Sequence, residues 1–158
     1  MAMSARRGYR SQSSLELLIT LSFGLIILLP IVVLAFIQIS ASTSTLSTTE
    51  AQQVASKLAS VASVVGSQGF PAKEVVSIQV PPDVQAIMVG TPSGGVGHEI
   101  IFNVSTNAGV SFITAYTPVN VSGNLANIEA TATYLINVSA QDACPSDTAV
   151  PCVYVQEE

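Results

Sequence analysis

Two cysteines are the first residues whose type and spacing could do chemistry. Cys144 and Cys152 are the only cysteines of the chain, and they enclose a segment, 145–151, that begins and ends with proline. A cysteine pair at this spacing in an external domain favours a disulfide. A metal site would need more ligands, and the single histidine, His98, is far away in the sequence. The spacing therefore predicts a disulfide that attaches the C-terminal tail to its domain.

Three asparagines begin Asn-Val-Ser triplets, which match the acceptor pattern for N-linked glycans in exported proteins. They are Asn103, Asn120 and Asn137. We expect Asn120 to lie between two strands, where it would be the most accessible, and Asn137 to lie on the polar face of a strand. Each asparagine is either a glycan acceptor or unmodified, and the pattern leaves both interpretations open.

The sequence gives little support for catalysis. His98 follows the glycine-rich stretch Ser93–Gly97 and has no evident acidic partner, which is typical of a solvated turn histidine. The glycine-rich stretch lacks the lysine and the following helix of a phosphate-binding loop. The scattered acidic residues form no calcium-binding loop. We therefore expect a protein that is not an enzyme and that uses no cofactor and no metal.

Charge is distributed unevenly along the chain. Three of the five basic residues are Arg6, Arg7 and Arg10, and the formal net charge is −5. Removal of a leader ending before Gln12 would leave two lysines against ten acidic residues, a net charge of −8. Such an acidic product has no basic patch for phosphates, which argues against binding to nucleic acid.

An uncharged apolar stretch, Leu17–Ile37, follows the basic leader. At about 1.5 Å per residue it covers roughly 30 Å, the thickness of a bilayer core. The arginines before it predict that the N-terminus stays in the cytoplasm and that the C-terminal part lies outside. A cleaved secretory signal is the alternative, with a small-residue site near 39–42. Its apolar region would be shorter, and Glu16 at the edge of the span would be unusual for it.

The next segments predict a continued helix. Residues 40–49 are mainly serine and threonine, which favour either a linker or a weakened helical section. Residues 50–65 have a helical repeat of apolar side chains: Val54, Leu58, Val61 and Val65. We expect one helix from about Gln12 to about Val65, with a kink or a loosened turn at Pro30.

From residue 74 onward the apolar period changes to two, which is typical of strands. The predicted strands are Val75–Val80, Val84–Val89, Glu99–Val104, Val110–Thr117, Ile128–Val138 and Cys152–Val155. Turn residues separate them about every ten positions, which favours an antiparallel sheet or a small sandwich. The fold class expected is α+β: a long hydrophobic N-terminal helix, followed by a small β head that packs on the C-terminal half of that helix.

The start of the chain resembles a known family. Gln12-Ser13-Ser14-Leu15-Glu16, followed by an apolar helix, is similar to the class III signal peptide of archaeal type IV pilin-like proteins. The resemblance implies that a prepilin peptidase cuts between Ser11 and Gln12 and keeps the helix. Glycine often precedes the cut in this family, and Ser11 stands there here. The implied regions are a basic leader, 1–11, a transmembrane and filament-core helix, 12–39, its continuation, 40–70, and an extracellular head, 71–158.

Glu16 would be the fifth residue of the processed chain. Gln12 would then carry a free α-amine one helical turn away, and the acid could meet this amine or that of an adjacent subunit. Both charges need partners inside a filament core, because unpaired charges at low dielectric are costly. The alternative is that Glu16 caps an ordinary signal-anchor helix, where the helix N-terminus also favours a carboxylate.

The resemblance implies a structural subunit of a type IV pilus-like surface filament, used for adhesion or surface attachment. Its implied partners are copies of itself in a helical filament, the membrane before assembly, the prepilin peptidase, and a pilus assembly ATPase with its platform. A second function class stays open at this point: a membrane-anchored extracellular binding or accessory protein that never polymerises.

Overall fold

A computed structural model describes residues 7–125, 127–128 and 130–158, with side chains from Ser14 onward. The chain divides into two compact units, the first ending at Ser42 and the second covering Thr43–Glu158. Arg6, in the predicted leader, and Glu129, in the fifth predicted strand, lie outside the described residues.

One helix, α1, spans Arg7–Gln68 and confirms the long N-terminal helix. Residues 40–49 belong to it, so the serine- and threonine-rich stretch is helical. The hydroxyls of Thr48 and Thr49 both donate to the carbonyl of Thr45, at 2.9 Å. Pro30 lies inside α1 without ending it, although a proline has no N–H to donate to the carbonyl four residues earlier.

In the first unit, α1 is long and apolar enough to cross a membrane, with a mean hydropathy of 2.9 over its most apolar window. None of that window is buried within the protein. Leu, Ile, Val and Phe side chains point outward all around the helix, as they do in a segment surrounded by lipid or by other protein. This segment is of the membrane-anchor or signal type.

In the second unit, six strands follow α1. They are β1 (Lys73–Gln79), β2 (Val84–Val89), β3 (Gly97–Thr106), β4 (Gly109–Asn124), β5 (Thr133–Gln141) and β6 (Cys152–Glu157). Their order in the sheet is β1-β5-β6-β4-β3-β2. All neighbours are antiparallel except β4 and β6, which pair in parallel through Val121–Asn124. The α+β fold class is confirmed.

The core of the second unit lies between one face of α1 and the sheet, as expected. The buried helical row is Ala51, Ala55, Leu58, Ala62 and Val65, of which none is more than 1% exposed. Val54 and Val61, which the apolar repeat also placed on this face, are only partly buried. The face is centred on alanine rather than valine, because small side chains let the helix backbone approach strands bearing Ile100, Phe102 and Ile136.

Two strands differ from their predicted bounds. β4 continues past Pro118 to Asn124, because Val121–Asn124 pairs with β6. Proline is tolerated there, since it lies where the strand has no ladder bond to donate. β5 begins at Thr133 rather than Ile128. Thr131 has a positive φ of 65°, and its N–H donates to the carbonyl of Val80, so Ala130 and Thr131 lie in a turn rather than in a strand.

The predicted glycine turn lies between β2 and β3. Gly90 has a φ of 92°, in the left-handed region that favours glycine. A Cβ on Gly90 would collide with the carbonyl oxygen of Gly95, and a Cβ on Gly97 would lie 2.6 Å from the carbonyl of Gly90. The glycines are therefore required by close backbone approach, and the stretch is a structural turn.

Candidate functional site

The predicted processing bond lies inside the described backbone of α1. Ser11 and Gln12 are both helical, and the helix begins before them at Arg7. In an α-helix each N–H bonds to the carbonyl four residues earlier, so the carbonyls of residues 8–11 serve the N–H groups of residues 12–15. A cut after Ser11 would remove these acceptors and would create a new helix N-terminus with four unbonded N–H groups.

Glu16 is the first acidic residue after that bond, and it is exposed. Its backbone carbonyl accepts a hydrogen bond from Thr20 Oγ1 at 2.7 Å, which Thr20 shares with the carbonyl of Leu17 at 3.0 Å. The two lysines of the chain, Lys57 and Lys73, both belong to the second unit.

The apolar residues that follow Glu16 form a continuous bare surface. Leu18 is 60% exposed, and Phe36 is 72% exposed. Eighteen large apolar side chains between Leu15 and Ile39 are exposed in this way. At about 1–2 kcal/mol for each half-exposed side chain, burying them would release roughly 20–35 kcal/mol of hydrophobic free energy. The segment requires lipid or other protein around it.

The cysteines form the predicted disulfide, with a Cα–Cα distance of 5.3 Å. The enclosed loop is also held by hydrogen bonds: Cys144 N–H donates to the carbonyl of Val150 at 3.0 Å, and Ala149 N–H donates to Asp147 Oδ1 at 3.0 Å. Cys152 is the first residue of β6. The disulfide thus ties the loop to the strand at the centre of the sheet, which confirms this prediction.

The structure places the three sequon asparagines in different environments. Asn120 lies within β4, so its predicted position between strands is wrong; the cause is the continuation of β4 toward β6. It is half-buried, and its Nδ2 donates to the carbonyl of Pro151 at 3.3 Å. Asn103 is half-buried on β3, opposite Phe112 of β4.

Asn137 is the most enclosed of the three. It lies on the face of β5 that also carries Thr133 and Leu135, as predicted, yet it is only 8% exposed because β1 and β6 flank it through Val75 and Gln156. The Oδ1 atoms of Asn103 and Asn137 are buried without a hydrogen-bond partner among the described residues. Whether any of the three carries a glycan stays a prediction, and Asn120 has the most open surroundings.

His98 is exposed at the start of β3, where its ring stacks on that of Tyr116, with 6.0 Å between centroids and 14° between planes. Across the described residues, no group of three or more His, Cys, Asp or Glu side chains could hold a metal ion.

A cavity of about 440 Å³ in the second unit was not predicted from the sequence. It is lined by the end of α1 and by parts of β3, β4, β5 and β6, and we call it the Phe70 cavity after its exposed aromatic residue. These segments are distant in sequence and meet only through the order of the strands. The signal that could have pointed to it is an exposed phenylalanine directly after the helix-ending Gly69.

Comparisons with known proteins add no family. No protein-family model, no curated protein and no solved structure matches the chain.

Proposed function

We propose that this chain is a structural subunit, a pilin, of an archaeal type IV pilus-like surface filament. In this proposal a prepilin peptidase cuts between Ser11 and Gln12, and the subunit polymerises through the N-terminal part of α1. The observation that carries the proposal is the exposed apolar surface from Leu15 to Ile39, next to the exposed acid Glu16. Such a surface would contact lipid while the subunit is in the membrane, and would contact the helices of other subunits after assembly.

The helical leader gives the cut a physical consequence. Before processing, the carbonyls of the leader occupy the first N–H groups of the retained helix; afterwards those groups and the Gln12 α-amine form a positive end. Glu16 lies one turn further on, where its carboxylate is favoured by the helix terminus and by the amine of its own or an adjacent chain. Processing thus creates the charge that Glu16 would bind during assembly.

The second unit supplies the external part of the proposed subunit. Its disulfide is the kind that persists in an oxidising, extracellular setting. The arginines of the leader favour a cytoplasmic N-terminus for the precursor, with the head outside. Its further partners would be the assembly ATPase and platform, because exchanging lipid for protein contacts yields little hydrophobic energy. Adhesion or surface attachment would be the role of the assembled filament.

Substitution of Glu16 tests the proposal. Glu16→Ala and Glu16→Gln should each lower the yield of sheared filaments by about tenfold or more, because a positive end left without its partner in a dry core is costly. Membrane insertion of the unassembled subunit should be unchanged, since the apolar span is intact. Glu50→Gln, which changes an acid of the same helix within the second unit, is the matched control and should assemble normally.

Two outcomes would contradict this account. Normal filament yield from both Glu16 variants would remove the assembly role of this residue. A wild-type chain that stays in the membrane fraction and is absent from sheared filaments would instead identify a membrane-anchored extracellular binding or accessory protein that does not polymerise.

A further inference from the structure

The Phe70 cavity combines an apolar floor with a polar rim. Its floor includes Gly66 of α1, Val119 of β4 and Val153 of β6. A Cβ on Gly66 would lie 2.9–3.0 Å from methyl groups of both valines, so the helix reaches the sheet here only because this residue has no side chain. This close packing of α1 on β4 and β6 holds the apolar lining of the cavity in place.

One aromatic ring stands at the edge of this floor. Phe70, two residues after the end of α1, is 60% exposed. An aromatic ring that is left open beside an apolar floor offers a flat face of about the size of a sugar ring, against which C–H groups can pack. Buried core packing does not account for Phe70, because more than half of its surface is bare.

The rim supplies hydrogen-bonding groups of several kinds: His98, Asn120, Gln141 and Asp142. Three of them are held in place by contacts of their own. The His98 ring stacks on Tyr116, Asn120 Nδ2 donates to Pro151, and Gln141 Nε2 donates to Ser139 Oγ at 3.1 Å. Amide, imidazole and carboxylate groups around one opening can both donate to and accept from hydroxyls.

The charge of the rim limits the class of ligand. Asp142 is an acid, and α1 ends at Gln68, so its C-terminal carbonyls bring the negative end of the helix dipole to this side of the cavity. The processed chain is also strongly acidic as a whole. An anionic ligand would be repelled, whereas a neutral ligand rich in hydroxyls would not.

We propose that the Phe70 cavity binds a neutral hexopyranose ring of a surface glycan, with the apolar face of the sugar on Phe70 and its hydroxyls on the rim. A volume of about 440 Å³ is within the range of small-molecule sites and accommodates one or two sugar rings. The biological setting, attachment to a glycan-coated surface, rests on the proposed function, but binding itself does not require filaments.

The test uses the full-length chain, produced in a host without N-glycosylation so that Asn120 is unmodified. The chain is held in a zwitterionic detergent, because a sugar-headed detergent would compete for the cavity. Methyl glucoside, methyl mannoside, methyl galactoside and glucuronate are each titrated and followed by saturation-transfer NMR. At least one neutral glycoside should bind saturably, with a Kd of about 1–10 mM as expected for a small ligand in an open site. Glucuronate should bind about tenfold more weakly or not at all.

Two phenylalanines provide a matched pair. Phe70→Ala should weaken binding about fivefold or more by removing the stacking face, whereas Phe70→Tyr should keep it. Phe112, which lies on β4 and is 63% exposed, is the control, and Phe112→Ala should leave binding unchanged. Asp142→Asn should reduce the preference for the neutral sugar over glucuronate, because it removes the negative charge of the rim.

The proposal is overturned if no neutral glycoside binds saturably, or if Phe70→Ala and Phe112→Ala behave alike. Its failure is distinguishable from failure of the filament proposal, because binding is measured on the unassembled chain. Sugar binding by a chain that is never cut or polymerised would support the cavity and remove the filament. Filaments from a chain that binds no sugar would have the opposite meaning.

Discussion

The two parts of α1 carry apolar residues for different purposes. Between Leu15 and Ile39 the side chains are large and bare, with Leu34 62% exposed. Between Ala51 and Val65 the apolar row is mainly small and is completely covered by the sheet. Within the second unit the sheet buries the apolar side chains of the helix. The apolar side chains of the first segment are exposed and would be covered by lipid or by another chain. An apolar helical segment therefore becomes part of a core only where another element of the chain covers it, as the sheet covers Ala51–Val65.

The same substitution in each part tests this difference. Leu58→Ala, at a fully buried position, should lower the free energy of unfolding of the second unit by about 2–5 kcal/mol through lost burial and a cavity. Leu28→Ala, at a position 58% exposed, should change it by less than about 0.5 kcal/mol. Denaturant unfolding of the full chain in micelles, followed by near-ultraviolet circular dichroism, measures both.

Equal effects of the two leucine substitutions would contradict the division of α1 into a bare segment and a covered one.

The disulfide contributes to the stability of the second unit and has no counterpart in the described part of the first. Replacing Cys144 and Cys152 together by alanine should lower its stability by about 2.5 kcal/mol, as expected for a closed loop of this size. Insertion of the apolar segment into membranes should not change. Denaturant midpoints of the variant and the wild type provide the measurement, and intact mass before and after reduction should differ by two hydrogens in the wild type alone. An unchanged midpoint would mean that the loop adds nothing to the stability of this unit.

Periodicity predicted the elements well, because it depends on neighbouring residues. The long helix, the exact bounds of β2 and the helix-on-sheet core follow from the spacing of apolar side chains. The end of β4 could not be predicted in this way, because Val121–Asn124 is held by a parallel pairing with β6, about 30 residues away in sequence. The turn before β5 has the alternation of a strand but is redirected by Thr131.

The candidate sites also differ in whether their residues lie close together in the sequence. The cysteine pair was predictable, since both partners lie close together in the chain. The burial of Asn137 was not, because it depends on which strands flank β5. The Phe70 cavity depends on five segments that meet only in the folded unit. Sites formed by neighbouring residues could be predicted from the sequence, whereas surfaces that depend on the order of the strands could not.

Gly24 and Gly66 of α1 should respond to alanine substitution with small changes in stability of opposite direction. A Cβ on Gly24 would meet nothing within 4 Å, so Gly24→Ala should stabilise the helix by about 0.5–1 kcal/mol. A Cβ on Gly66 would crowd Val119 and Val153, so Gly66→Ala should destabilise the second unit by about 1 kcal/mol or more. Helix content of the first variant and the unfolding midpoint of the second measure these effects. Stabilisation by both substitutions would show that α1 is not pressed against the sheet at Gly66.

In the proposed function, the exposed apolar part of α1 is retained by a processed subunit and becomes the core of a filament. Peptide mass spectrometry of the N-terminus of the protein recovered from sheared surface filaments tests it most directly. The recovered chain should begin at Gln12 and contain Glu16 and the whole apolar segment. A chain that begins after residue 39, with the helix removed, or an uncut chain found only in the membrane, would contradict it.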